Sequence, residues 1–288
     1  MSRASSNIPI YYINLAERTD RRAAMEQRFG LLGLVSERVS AVQPDQISQA
    51  DIDRFCDPRR YRWLTPPELA CGLSHLAALR VFLQAGAPFG AIFEDDAVLS
   101  EVLPAFLSAI ESNAPELDLI RLETFNERLL VDPSGSRQLG PVATRTIYSQ
   151  SNGSAGYVVS RRGAIAIVES VEIKATQADF ALFNPHHSLA RQLRVQHVDP
   201  GLCIQQHRLG SSELSSIDSQ IVGAREQRRI LARKHRLIRD ARRLREFLEL
   251  VVRIKPRELW ARRTKKAVWR SIPFMDQRHD SSIERAAD

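Results

Sequence analysis

The chain lacks any run of about 18–20 consecutive apolar residues, the length a membrane-crossing helix needs. The longest candidate, from Val102 to Ile110, is short and holds a proline. Residues 1–7 are polar, with no apolar core of signal-peptide length before the first expected strand. Cysteine is scarce: Cys56, Cys71 and Cys203 are an odd number without C-x-x-C spacing, which suggests neither a disulfide framework nor a cysteine-zinc site. The expected setting is a reduced, cytoplasmic one. There is no Gly-Lys dipeptide and no G-x-G, so a Walker phosphate loop and a dinucleotide fingerprint are excluded. H-E-x-x-H and G-x-S-x-G are missing too, which removes the common zinc-protease and esterase signatures.

What is present is ordinary in amount and uneven in distribution. With 288 residues, 43% hydrophobic and 26% charged, the chain can build one large domain, or one domain and an appendage. The net charge of +7 divides into two parts of opposite sign. Residues 224–270 hold 18 Lys/Arg against 5 Asp/Glu, a net of +13, which leaves −6 for the rest of the chain.

Residues 9–15 (PIYYINL) read as a buried strand, and Thr19 is placed to cap a helix carrying Met25, Phe29 and Leu32 at helical spacing. Thr65-Pro66-Pro67-Glu68 is a capping box with proline in the first turn, opening a helix that Gly86 and Pro88 end. Residues 89–93 (FGAIF) form a strand that runs straight into Glu94-Asp95-Asp96. A helix with Val102, Phe106, Leu107 and Ile110 follows, then a strand at 117–122 and a Pro/Gly/Ser-rich loop or hairpin at 131–145. Strands near 145–149 and 155–159 frame Ser151-Asn152-Gly153-Ser154, Ser160 caps a helix from Arg161, and a further strand is expected at 193–198. This alternation over 8–205 predicts an α/β fold with a mostly parallel central sheet flanked by helices.

The acidic triplet stands where a strand ends, and open α/β sheets bind ligands at the carboxyl ends of their strands. Three adjacent carboxylates repel one another, which suits neutralisation by a hard divalent cation held by the alternate pair Glu94 and Asp96. The plainer alternative is an acidic turn capping the next helix. His207, after the strand-like Gly201–Ile204, could complete a metal site. Asn14, Arg18, Arg21 and Arg22 follow the first strand, where arginines can hold phosphates or simply line a solvated helix face. Asp179 is a candidate general base or, equally, a helix N-cap. His75 beside Ser74 is either a site residue or a satisfied core histidine.

Four blocks carry a family resemblance. They are Tyr12-Ile13-Asn14-Leu15 with Arg18, Asp20 and Arg21; Glu68-Leu69-Ala70-Cys71-Gly72-Leu73-Ser74-His75; Ala91-Ile92-Phe93-Glu94-Asp95-Asp96; and Gly156-Tyr157-Val158-Val159-Ser160 before Gly163-Ala164. In order and spacing the chain resembles glycosyltransferase family 25, the bacterial lipopolysaccharide-biosynthesis glycosyltransferases, over about residues 8–215. It departs from the family at Ala16-Glu17, at Ala70, and at Gln177-Ala178-Asp179, where only the aspartate of a Pro-Val-Asp motif is kept. The resemblance implies a GT-A-like single domain over 8–222 and a UDP-sugar donor, galactose or a relative, held by Asn14, Leu15, Arg18, Arg22, Ser74, His75 and Asp95. It further implies Mn2+ or Mg2+ on Glu94, Asp96 and His207, and inverting transfer to an oligosaccharide or lipid-linked acceptor. Asp179 is then the expected base, with Glu123 in reserve.

The basic stretch lies outside the resemblance. Ile230, Leu237, Ala241, Leu244, Leu248 and Val251 share one helical face and arginines the other, and Pro256 interrupts before Trp260 and Trp269. Residues 223–288 are therefore expected to form a basic amphipathic helical tail. Its expected partner is an anionic membrane, at the inner face of the cytoplasmic membrane, rather than nucleic acid, for which no recognition motif appears. The competing reading of the whole chain is a non-catalytic membrane- or nucleic-acid-binding protein built on a degenerate transferase domain.

Overall fold

The computed structural model describes residues 6–60, 63–113, 116–209, 223, 244–245 and 247–276. In chain order, β1 (Ile10–Asn14), α1 (Thr19–Leu31), β2 (Glu37–Ser40) and α2 (Gln49–Phe55) lead into α3 (Pro66–Gln84). Then come β3 (Phe89–Glu94), β4 (Ala97–Leu99), α4 (Leu103–Asn113), β5 (Leu119–Arg121) and β6 (Arg128–Val131). β7 (Arg137–Leu139) and β8 (Val142–Arg145) form a hairpin, the second of the two alternatives for 131–145. β9 (Gly156–Ser160), α5 (Arg161–Glu169), α6 (Glu172–Ala175), α7 (Ala178–Phe183) and α8 (Ser188–Gln192) follow, then β10 (Val195–Asp199) and β11 (Cys203–Gln205). A helix over Lys255–Thr264 and the strand β12 (Val268–Ser271) come last.

One sheet of eight strands, in the order β2-β1-β3-β9-β5-β10-β8-β7, organises the molecule. Strands β2, β1, β3, β5, β10 and β7 run in one direction, while β8 and β9 run against them. The sheet is thus mostly parallel in sense, with β9 inserted antiparallel between β3 and β5. Alternate residues of each strand enter different cores, as the period-2 geometry of a strand dictates. Ile10, Tyr12, Ala91, Phe93, Ile120 and Val158 face α1 and α4. Tyr11, Ile13, Ile92, Leu119, Tyr157 and Val159 face α3, α5 and α7. Helices therefore cover both faces, and β1 (IYYIN) is buried throughout because neither of its faces meets water.

The expected capping box is formed: the Thr65 side chain accepts from the Glu68 amide, and the Glu68 carboxylate accepts from the Thr65 amide. Ser160 caps α5 through the Gly163 amide. Thr19 behaves differently from expectation. It is the first residue of α1, the cap position belongs to Arg18, and no side chain caps that end. The turn after Asp96 enters β4, which pairs with β11, so the acidic triplet does not cap a helix.

Much of the expected tail, with Ile230, Leu237 and Ala241, lies outside the described residues. Leu244, Leu248 and Val251 are described and exposed. Pro256 sits in the first turn of the Lys255–Thr264 helix rather than ending helical structure. Further along, the chain is built into the body. β12 pairs antiparallel with β6, Ile272 packs with Leu129, Val131 and Ile147, and Ala261 is buried against Leu130.

Candidate active site

The carboxyl ends of β1, β3 and β5 bring Asn14, Glu94 and Glu123 to one edge of the sheet. Because β9 runs the other way, the loop that enters it, Ser151–Ala155, arrives at that same edge. The Phe93↔Gly156 register sets it beside Glu94, whose amide donates to the Ala155 carbonyl at 2.9 Å. The site therefore occupies the crevice that α/β topology favours for ligands.

The β3–β4 turn separates the triplet by alternation. Asp95 is buried and points inward, accepting from Asn14 Nδ2 at 2.8 Å and from Arg21 Nη1 at 2.7 Å. It fixes the turn to the β1–α1 connection. Glu94 and Asp96 are half-buried and face a cavity. Ser154 Oγ donates to Glu94 Oε1 at 2.7 Å, and His75 Nε2 lies 3.3 Å from the same oxygen. His75 Nδ1 is 3.1 Å from the Tyr157 hydroxyl. A proton on Nε2 satisfies both contacts: the imidazole donates to Glu94, and Tyr157 donates to Nδ1. Burial pushes the Glu94 carboxyl up, but the hydrogen bonds from His75 and Ser154 and the Arg21 charge outweigh it and hold the group below the usual glutamate range. Ser74, one residue earlier on α3, accepts from the Val42 amide and donates to the Ala70 carbonyl, both at 2.8 Å, which ties α3 to the segment after β2.

The loop at 151–155 is held by charged side chains on every side. Arg121 is fully buried; its Nε donates to the Gly153 carbonyl at 3.1 Å and its Nη2 to the Asn152 carbonyl. Glu123 Oε2 accepts from the Ala155 amide at 2.8 Å, and Asp179 Oδ2 accepts from the Gly153 amide at 2.9 Å. Asp179 is the second residue of α7 and its other oxygen accepts from the Phe180 amide, so the N-cap alternative does not hold. Burial, with the Glu94 and Asp96 charges adding to it against Arg121 and the Ala155 amide, pushes the Glu123 carboxyl well above its usual range.

Two cavities flank this edge and share Cys71, Glu94 and Gln205. The first, of about 160 Å³, is lined by Leu15, Arg21, Ser74, His75, Asp95 and Asp96 among others. The second, of about 440 Å³, is lined by residues including Phe125, Asn152, Gly153, Asp179, Phe180 and His207. Of the expected site residues, Asn14 stands behind the first cavity through its bond to Asp95. Arg18 and Arg22 line neither cavity; Arg18 makes a two-point contact with Asp20, and Arg22 pairs with Glu26 four residues on. The Gln206 amide donates to the Asp96 carbonyl at 2.9 Å, but His207 after it lines the second cavity and not the one that Asp96 faces, so the expected Glu94–Asp96–His207 set is not brought together.

Cys71, His75 and Glu94 form a group whose ligand atoms lie within 4.8 Å of one another. Its chemistry does not suit a hard cation. Burial, together with the charges of Glu94 and Asp179, pushes the Cys71 thiol well above its usual range, and both His75 nitrogens already have partners. The Glu94 and Asp96 carboxylates, facing the first cavity, do present the oxygen donors that Mn2+ or Mg2+ takes. Arg121, Tyr157 and the 151–155 loop escaped the sequence reading as site residues. The available signals were a lone arginine inside an apolar strand and an Asn-Gly turn just before one.

Residues 7–182 match the family described as "Glycosyltransferase family 25 (LPS biosynthesis protein)". The chain is 28% identical over 250 residues to the lacto-N-neotetraose biosynthesis glycosyltransferase LgtB of Neisseria meningitidis serogroup A, covering 80% of this chain and 89% of that protein. It is 27% identical to LgtE of Neisseria gonorrhoeae, another lacto-N-neotetraose biosynthesis glycosyltransferase, covering 81% and 87%. The lipooligosaccharide biosynthesis protein lic2B of Haemophilus influenzae is 26% identical, covering 75% and 83%. Among solved structures, the mannose-1-phosphate geranyltransferase of Thermus thermophilus overlaps with a TM-score of 0.36 at 12% identity, covering 66% of this chain and 73% of that one.

Gly153 has φ +97°, and a Cβ there would stand 2.4 Å from Glu123 Oε2 and 2.6 Å from Phe125 Cζ. Gly153→Ala is expected to lower the unfolding free energy by about 1–3 kcal/mol. Chemical denaturation reads this, and an unshifted midpoint would contradict the packing of the loop on Glu123.

Proposed function

The chain belongs to glycosyltransferase family 25 and is a glycosyltransferase, and on that premise we propose that it moves a hexose from a UDP-sugar to a hydroxyl of a lipopolysaccharide oligosaccharide. Galactose is the sugar the family resemblance favours, and GT-A is the fold it favours. One observation carries the reading: two cavities open on the same carboxylate, Glu94, so that a donor in one and an acceptor in the other would meet at the sheet edge.

The nucleotide sugar occupies the first cavity. His75 and Ser154 hold the Glu94 carboxylate in one orientation, and Asn14 and Arg21 hold the turn that carries Asp96. Glu94 and Asp96 would hold a divalent cation there, and when bound it would supply neutralisation of the diphosphate charge. Asp179 takes the proton from the acceptor hydroxyl. The acceptor oxygen then bonds to the anomeric carbon as the bond from that carbon to the diphosphate oxygen breaks, and attack on the opposite face inverts the centre. Glu123, buried and accepting from the Ala155 amide, serves the fold of the loop rather than proton transfer.

Glu94→Gln and Asp96→Asn are expected to cut UDP release from UDP-galactose in the presence of acceptor by at least about a hundredfold while the protein stays folded. Wild-type turnover in either variant would overturn the assignment.

The exposed residues of 244–270 support a location as well. Leu244, Phe247, Val252, Trp260 and Trp269 are exposed among Arg245, Arg253, Arg262 and Arg263. Apolar side chains interspersed with cations suit an anionic membrane surface, each cation near it contributing about 1 kcal/mol. Among the described residues no helix is long and apolar enough to cross a membrane. The proposed contact is peripheral, at the inner face of the cytoplasmic membrane. The protein should co-sediment with vesicles containing phosphatidylglycerol, and Trp260→Ser with Trp269→Ser should weaken that severalfold; equal binding to neutral vesicles would count against it.

A further inference from the structure

The second cavity contains no element of the acidic turn except Glu94, and its wall has a character of its own. Two phenyl rings, Phe125 and Phe180, stand among side-chain amides. Those amides are oriented by their neighbours. Gln177 Nε2 donates to Glu68 Oε1 at 2.6 Å, which leaves the Gln177 carbonyl oxygen as an acceptor. Gln150 Nε2 donates to Asn152 Oδ1 at 3.3 Å, which leaves the Asn152 amide hydrogens as donors. Rings beside fixed donors and acceptors are what a pyranose requires, since its C–H faces pack on aromatics while its hydroxyls both give and accept hydrogen bonds. The carboxylates of Glu68, Glu94 and Asp179 line the same space, against the cation Arg208 and the imidazole of His207. This balance disfavours a phosphate or carboxylate on the ligand.

Phe125 is the ring whose position the rest of the fold sets most firmly. The Arg121 and Arg208 guanidiniums lie 5.4 and 4.6 Å from its centroid. The segment after β12 clasps the same loop from outside. Thr124 Oγ1 donates to the Ile272 carbonyl, the Ile272 amide to the Glu127 carbonyl at 3.2 Å, and the Phe274 amide to Asn126 Oδ1 at 2.8 Å. That segment also holds the turn leading to β11 and His207, because Gly201 donates to Pro273 at 2.8 Å and Met275 donates to Gly201 at 2.9 Å. Residues 272–275 lie beyond the 7–182 family match, yet they join both walls of the cavity.

We propose that the Phe125–Phe180 cavity is the acceptor site, that it takes an uncharged pyranose, and that Phe125, positioned by the 272–275 clasp, is a specificity-determining contact. This rests on the transferase reading above for the word acceptor; the binding site itself does not.

Binding is measured on the full chain by saturation-transfer NMR with methyl β-pyranosides of a hexose and an N-acetylhexosamine, and with their 6-phosphate and uronate counterparts. UDP with Mn2+ is titrated in parallel. The neutral glycosides should bind wild type, Phe125→Ala should weaken them about tenfold, and Phe125→Tyr should restore them. Asn126→Gly, which keeps the left-handed backbone (φ +55°) and removes only the bond to Phe274, should weaken them severalfold with UDP affinity within twofold of wild type. Absent neutral-glycoside binding, unmoved affinity in Phe125→Ala, or equal binding of the anionic analogues would each overturn the proposal. Loss of UDP binding in wild type would instead count against the transferase reading, so the two failures separate.

Discussion

At the edge of the central sheet, two carboxylates and one guanidinium meet the backbone of a five-residue loop, a third carboxylate meets its serine hydroxyl, and the remainder of the site takes its shape from that meeting. Arg121 donates to two loop carbonyls, Glu123 and Asp179 each accept from a loop amide, and Glu94 accepts from the Ser154 hydroxyl. A buried charge is tolerated only when it is paired and hydrogen-bonded. Here the loop backbone serves as a common partner. If the loop moved, Arg121 and Asp179 would lose bonds together, and Glu123 would lose the amide that faces it. Gly153 is required at the centre because two of its neighbours, Glu123 and Phe125, stand where a side chain would go.

Beside the loop, Cys71, Glu94 and Gln205 stand between the two halves of the crevice. On one side are the acidic turn, His75 and the β1–α1 connection; on the other are Asp179, the amides and the two phenyl rings. Glu94 is common to both sides, and its orientation is fixed by His75, which Tyr157 fixes in turn. Long-range order supports this division, since the C-terminal strand β12 closes the wall that the Phe125 loop begins.

Several parts of this arrangement could be read from the residues. The apolar run Phe89–Phe93 ending in Glu94-Asp95-Asp96 placed the acidic turn at a strand end, and the capping box placed His75 on the helix beside it. What could not be read depended on contacts far apart in sequence. Nothing local says that β9 enters antiparallel, and it is this reversal that carries residues 151–155 to the carboxyl ends of β3 and β5. Arg22 looked like a phosphate ligand by position, but a glutamate one helical turn on takes its charge. Thr19 looked like a cap, but the cap position fell on Arg18. The stretch 255–276 looked like tail from its charge, while its packing depends on Leu129, Leu130 and Val131, more than 120 residues earlier.

The central claim is that the cavity beside the acidic turn holds the nucleotide and its neighbour does not. Crystals soaked with UDP and Mn2+ test this directly. The account predicts density for the nucleoside between Leu15, Ala41 and Ser74, with the diphosphate at Glu94 and Asp96 and the Phe125–Phe180 cavity free of nucleotide. A nucleotide seated against Phe125 and Asp179 instead would contradict it.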